Sequence, residues 1–214
     1  MNKYRKSISS KILIIIIIVT SYLSSGWFRN TLKDNLFIAL TFLFTTVLIT
    51  FLLYKPTKLL KRLSFISFGL LLLLGFITTN FKNEYIPNPA EADLEITRMN
   101  YYPPSQARLG YILEHQKLYR FIENLQRNFF DVLDLRQYFP NYFSYLSFPF
   151  FCIGIMTVLR RNSKLIIYYL LSSIFLLIIL GVHGKYGPFI IFPFFEIFII
   201  ASLIKIFRIT KSEN

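Results

Sequence analysis

About six long apolar runs, nearly free of charge, constrain this chain more than any other feature. They cover approximately Ile12–Phe28, Leu36–Tyr54, Leu63–Phe81, Tyr142–Leu159, Leu165–Val182 and Pro188–Ile204. A helix rises about 1.5 Å per residue, so crossing a hydrocarbon core of about 30 Å takes roughly 20 apolar residues. Ile12–Val19 and Phe68–Phe76 are apolar on all sides, with no polar face at a 3.6-residue period. This pattern predicts an all-α, polytopic α-helical membrane protein with about six transmembrane helices.

Composition agrees with that expectation. Hydrophobic residues make up 54% of the 214 positions, with 24 Phe and 14 Tyr. The formal charge of +13 raises nucleic acid as a partner, but the cations sit in short clusters beside apolar runs rather than along one polar face, so none is expected. Cys152 is the single cysteine and lies inside an apolar run, so the fold does not depend on an internal disulfide.

Lys and Arg placement sets the expected orientation. One set of connections holds Lys3, Arg5, Lys6 and Lys11, then Lys55, Lys58, Lys61 and Arg62. It continues with Arg160, Arg161 and Lys164, then Lys205, Arg208 and Lys211. The long connection, 82–141, is close to neutral. The expectation is a multi-pass cell-membrane protein with cytoplasmic N- and C-termini and an extracytoplasmic loop. Its parts are residues 1–81 (three spans), 82–141 (the loop) and 142–214 (three spans and a short basic tail). The first run has a basic start and small residues at Ser24–Ser25–Gly26, like a secretory signal, but an uncleaved span is the expectation.

The 82–141 loop divides in two. Prolines 87, 89, 103 and 104, with acidic Glu91, Asp93 and Glu95, read as an irregular strap. Beyond Ser105, Leu118, Ile122, Leu125, Phe129 and Val132 recur at helical spacing, which predicts an amphipathic helix. Such a helix suits the headgroup region, the mouth of the bundle or another protein.

Glu196 is the sharpest candidate site. A carboxylate inside a span is costly unless it is protonated or paired, and Pro193 just before it is expected to bend the helix. The alternative is a structural acid packed against Ser172, Ser173 or Tyr168. The turn His183–Gly184–Lys185–Tyr186–Gly187 is compact and cationic. His183 and Lys185 are therefore candidate anion or headgroup contacts, together with Arg108 and Arg120, although a tight interhelical turn and ordinary surface pairing are the leading explanations. No P-loop, HExxH, GxSxG or Rossmann glycine pattern occurs, and no metal or cofactor is expected.

From about residue 101 to 207 the chain resembles the C-terminal membrane part of multi-spanning, lipid-linked-sugar glycosyltransferases. The resemblance rests on Asn128–Phe129–Phe130, Leu133–Asp134–Leu135, a span ending at Leu159–Arg160–Arg161 and a last span opening at Pro188. It implies an acidic catalytic pair in the first outer loop, where this chain has Asp34 alone. The leading expectation is a noncatalytic subunit or accessory factor in cell-envelope assembly. A lipid-linked-sugar enzyme and a small transporter using Glu196 are the alternatives. The expected partners are the lipid bilayer and either a lipid-linked substrate or a membrane protein.

Overall fold

The first apolar run does not fold as one helix. In the computed structural model, α1 (Ser10–Ser24) stops at Ser25, whose extended backbone (φ −109°, ψ 107°) begins a new helix, α2 (Gly26–Asp34). Ser25 is an N-cap: its hydroxyl accepts from the Phe28 amide, satisfying a donor that no helical carbonyl reaches. The structure describes residues 10–78, 93–94, 96–97, 100–107, 109, 117–161, 163–182 and 185–210. Asn35 then caps α3 (Leu36–Tyr54), accepting from the Ile38 amide at 3.2 Å. A short corner leads to α4 (Lys58–Thr78).

The amphipathic stripe lies on α5 (Lys117–Leu133), and Asp134 caps the short α6 (Leu135–Tyr138). A 3-10 turn at Tyr145–Ser147 precedes α7 (Phe148–Arg160), which is followed by α8 (Lys164–Leu180) and α9 (Phe192–Thr210). Gly181 ends α8 with φ +83°, a conformation that favours glycine. Beside it, Asn128 of α5 donates to the Ile178 carbonyl at 2.9 Å, tying α5 to the end of α8.

The observed architecture is an all-α bundle, and it corrects the expectation of about six transmembrane helices. Among the described residues, two helices, Leu36–Tyr54 and Lys58–Thr78, are long and apolar enough to cross a membrane by length and composition. The run at 12–28 is cut at Ser25, and the run at 142–159 spends its first residues in a turn. The 13 residues of α7 rise only about 20 Å. The run from Pro188 is non-helical until Phe192. The multi-pass localisation, its cytoplasmic termini and extracytoplasmic loop, and the bilayer, lipid-linked-substrate and membrane-protein partners were all built on six spans and fall with them. So do the three functions that presupposed that frame: envelope-assembly subunit, lipid-linked-sugar enzyme and transporter.

The centre of the bundle is α9. Every residue from Pro188 to Ser202 is buried. Helix α7 runs parallel to it, with the Phe151 ring 4.6 Å from that of Phe195 and 5.6 Å from that of Phe198. Helix α1 runs antiparallel, because Leu13 and Ile17 share one buried cluster with Ile204 and Ile200 while Ser24 reaches Glu196.

Helices α3 and α4 are joined by a buried hydroxyl pair, Thr45 Oγ1 to Ser67 Oγ at 2.6 Å. Thr45→Val strands the Ser67 hydroxyl, so it is expected to destabilise the fold by about 1–2 kcal/mol. The double change Thr45→Val with Ser67→Ala should cost less than the two single changes together. Denaturant unfolding of the three variants checks this, and strict additivity would contradict the pairing.

Candidate functional site

The site is the seam between α1 and α9. On α1, Leu13, Ile17, Ser21 and Ser24 recur at spacings of four, four and three residues and so share one face. On α9, Glu196, Ile200 and Ile204 do the same. The facing stripes are apolar at one end, where Leu13 and Ile17 meet Ile200 and Ile204. They are polar at the other, where the Ser24 hydroxyl donates to Glu196 Oε1 at 2.7 Å.

Glu196 is 0% exposed. Among the described residues its second oxygen, Oε2, has no hydrogen-bond partner, and neither do the buried hydroxyls of Ser21 and Ser202. A carboxylate in that setting loses its hydration with only one neutral donor in exchange. Burial pushes its pKa up to about 8, while the Ser24 hydrogen bond pulls the other way. The group is therefore mainly a neutral carboxylic acid at neutral pH. Among the described residues no opposite charge holds the ionised form: α3 carries no Lys, Arg, Asp or Glu, Lys11, Arg160 and Lys205 lie towards the opposite end of α1, α7 and α9, and Arg29 donates to the Tyr22 carbonyl on the exposed side. The phenols on the aromatic cluster that packs on α9, Tyr138 and Tyr142, are themselves pushed up by burial.

The α1–α2 corner is what positions Ser24. The Ser144 amide donates to the Ser24 carbonyl at 2.8 Å, and the Trp27 amide donates to the Tyr142 carbonyl at 3.4 Å. The Trp27 indole N–H reaches the Tyr186 carbonyl at 2.7 Å, and its ring stacks on Phe189 with centroids 5.9 Å apart. Two distant segments, 142–144 and 186–189, therefore pin the corner that presents the serine to the acid.

Pro193 plays a different part from the expected bend. It lies in the first turn of α9, where its missing N–H would have had no intrahelical acceptor, so no helical bond is broken. Ser172 and Ser173 do not reach Glu196; their hydroxyls donate to the carbonyls of Tyr168 and Tyr169. Lys185 is exposed, its ammonium 5.2 Å from the Tyr186 ring centroid. His183 and Arg108 lie outside the described residues. Arg120 falls on α5, with its side chain outside the description. Asp34 is exposed at the end of α2, remote in role from the buried acid.

Sequence reasoning singled out Glu196 but not its neighbours Ser21 and Ser24. The available signal was the four–four–three spacing that aligns them with Leu13 and Ile17. Among the described residues, no three His, Cys, Asp or Glu side chains gather into a group able to hold a metal ion. No family model, curated protein or solved structure matches the chain.

Proposed function

We propose that this chain is a proton-responsive helical bundle whose titrating group is Glu196. The α1–α9 seam closes on the neutral carboxyl and loosens when the carboxyl gives up its proton. One observation supports this above the rest: a carboxyl without exposed surface, with one oxygen bonded to Ser24 and the other without a partner among the described residues. A group so placed can be neutral and docked or ionised and hydrated, but ionised and docked is costly. Besides the acid and the serines, the seam holds the aliphatic cluster of Leu13, Ile17, Ile200 and Ile204, so a charge formed there acts directly on the packing of α1.

The test is a distance measurement. With Cys152 replaced by serine, spin labels at the exposed positions Ile15 on α1 and Met156 on α7 report how far α1 sits from the bundle. The expected result is a label separation that lengthens and broadens as pH rises through about 8, the folded-state value set by burial. Glu196→Gln is expected to hold the short separation throughout. If the wild type and Glu196→Gln respond identically to pH, Glu196 is not the switch.

A further inference from the structure

Antiparallel packing brings four separate basic stretches of the sequence to one end of the bundle. The first is the α3–α4 corner, with Lys55, Lys58, Lys61 and Arg62 all exposed. The second is the α7–α8 corner, with Arg160, Arg161 and Lys164. The start of α1 adds Lys11 and the far end of α9 adds Lys205, both exposed.

Contacts fix these corners to one another. The Arg161 guanidinium donates from Nη1 to the Leu53 carbonyl at 3.3 Å, and its central carbon lies 4.3 Å from the Tyr54 ring centroid. Ser64 near the start of α4 and Tyr169 near the start of α8 lie 3.4 Å apart, hydroxyl to hydroxyl. Tyr54 also packs against the cluster of Leu13, Ile17, Ile200 and Ile204, which draws the ends of α1 and α9 to the same pole.

Among the described residues, these corners and helix ends carry no Asp or Glu. Like charges gathered without counter-charges repel one another, so such a pole costs stability unless an anion neutralises it. The backbone adds to the attraction. Helices α4 and α8 both begin here, and Ser163 makes no side-chain cap for α8, so the positive end of that helix faces the pole.

We infer that this pole binds a free multivalent phosphate, a short chain of linked phosphates carrying several negative charges. Lysines outnumber arginines across the surface. Lysine is a compact, mobile point charge that follows charge density rather than planar shape, which suits a chain of linked phosphates carrying more charge than a small carboxylate. The Arg161 fork is already engaged by Leu53 and Tyr54, which leaves the lysines as the mobile contacts.

Binding of inorganic tripolyphosphate to the whole 214-residue chain tests the inference, with citrate as a less densely charged carboxylate. Tripolyphosphate is expected to bind at least about tenfold more tightly than citrate, and more weakly as salt screens the pole. The double charge reversal Lys58→Glu with Lys61→Glu is expected to weaken it by a further tenfold or so. Both residues are exposed, so the fold should tolerate the change, and an unaltered far-ultraviolet circular dichroism spectrum will show that it does. The distant reversal Lys185→Glu should leave affinity unchanged.

Equal affinity for citrate would overturn the inference, as would indifference to the double reversal. Tight binding to single-stranded DNA or to phosphatidylglycerol vesicles that tripolyphosphate fails to displace would also overturn it, and would assign the pole to a nucleic acid or to an anionic surface respectively.

Discussion

Gly154→Ala is expected to cost about 3 kcal/mol or more, through overpacking where two helix backbones meet. A Cβ at this position would fall on the carbonyl of Phe198, with the Phe198 carbonyl carbon and Cα close behind. All three are backbone atoms of α9, so no side chain can rotate aside, and the two helices must move apart. Separation would unseat Phe151 from Phe195 and Phe198, a stack that fills the centre of the bundle. For a chain of this length, 1 kcal/mol corresponds to roughly 2–4 °C in Tm, so thermal unfolding should fall by several degrees at least.

Gly69 supplies the control. It lies in α4 with nothing within 4 Å of the position a Cβ would take. Alanine there adds helix propensity without a clash and should stabilise by up to about 1 kcal/mol. Equal effects at the two glycines would contradict the close α7–α9 crossing.

Helix type and several boundaries were legible because they follow from local pattern. The uncharged run Leu36–Tyr54 is a single helix with those ends, and the stripe from Leu118 to Val132 lies on one helix. Other features depend on competition between local signals. Ser24–Ser25–Gly26 looks like the small-residue end of a signal segment, yet Ser25 acts as an N-cap that splits an apolar run into two helices. Pro193 suggests a bend within a helix, but the helix begins only at Phe192, so Pro193 occupies the turn that tolerates it best.

Tertiary contacts were the least legible. Burial of Glu196 was readable from its setting among Phe and Ile, whereas its partner lies 172 residues away, and no local spacing reveals a contact of that range. The α5 stripe shows the reverse discrepancy. Val132 is buried, but Phe121, Ile122, Phe129 and Phe130 stay exposed, so periodicity identified the helix without telling which face would be covered. The outward faces of α1 and α4 are likewise apolar, with Leu23, Phe65, Ile66 and Ile77 exposed. The hydropathy that suggested six spans is therefore present in the fold, while among the described residues only two helices have the length and apolar composition that a span requires.

Stability is expected to fall as pH rises between about 4.5 and about 8, and Glu196→Gln is expected to remove most of that slope. The folded carboxyl is pushed up to about 8, chiefly by burial, from an ordinary value of 4.5. Between these values the folded chain keeps a proton that the unfolded chain has released, so unfolding liberates one proton and higher pH favours it. The contribution is complete below the unfolded value, shrinks by roughly 1 kcal/mol per pH unit across the window, and is gone once pH passes the folded value. Tyr138 and Tyr142 do not interfere, since burial moves both phenols further above that range.

Glutamine keeps the shape and an acceptor for the Ser24 hydroxyl but carries no proton to lose. The two proteins should therefore have similar stability near the acid end of the window and diverge towards pH 8, with the variant the more stable. Ser24→Ala sharpens the test. It removes the hydrogen bond that draws the carboxyl pKa down, so the decline in stability should extend to higher pH. Denaturant unfolding at intervals from about pH 5 to 9 measures all three curves. Parallel curves for the wild type and Glu196→Gln would mean that the buried acid is not the group through which protons act on this fold.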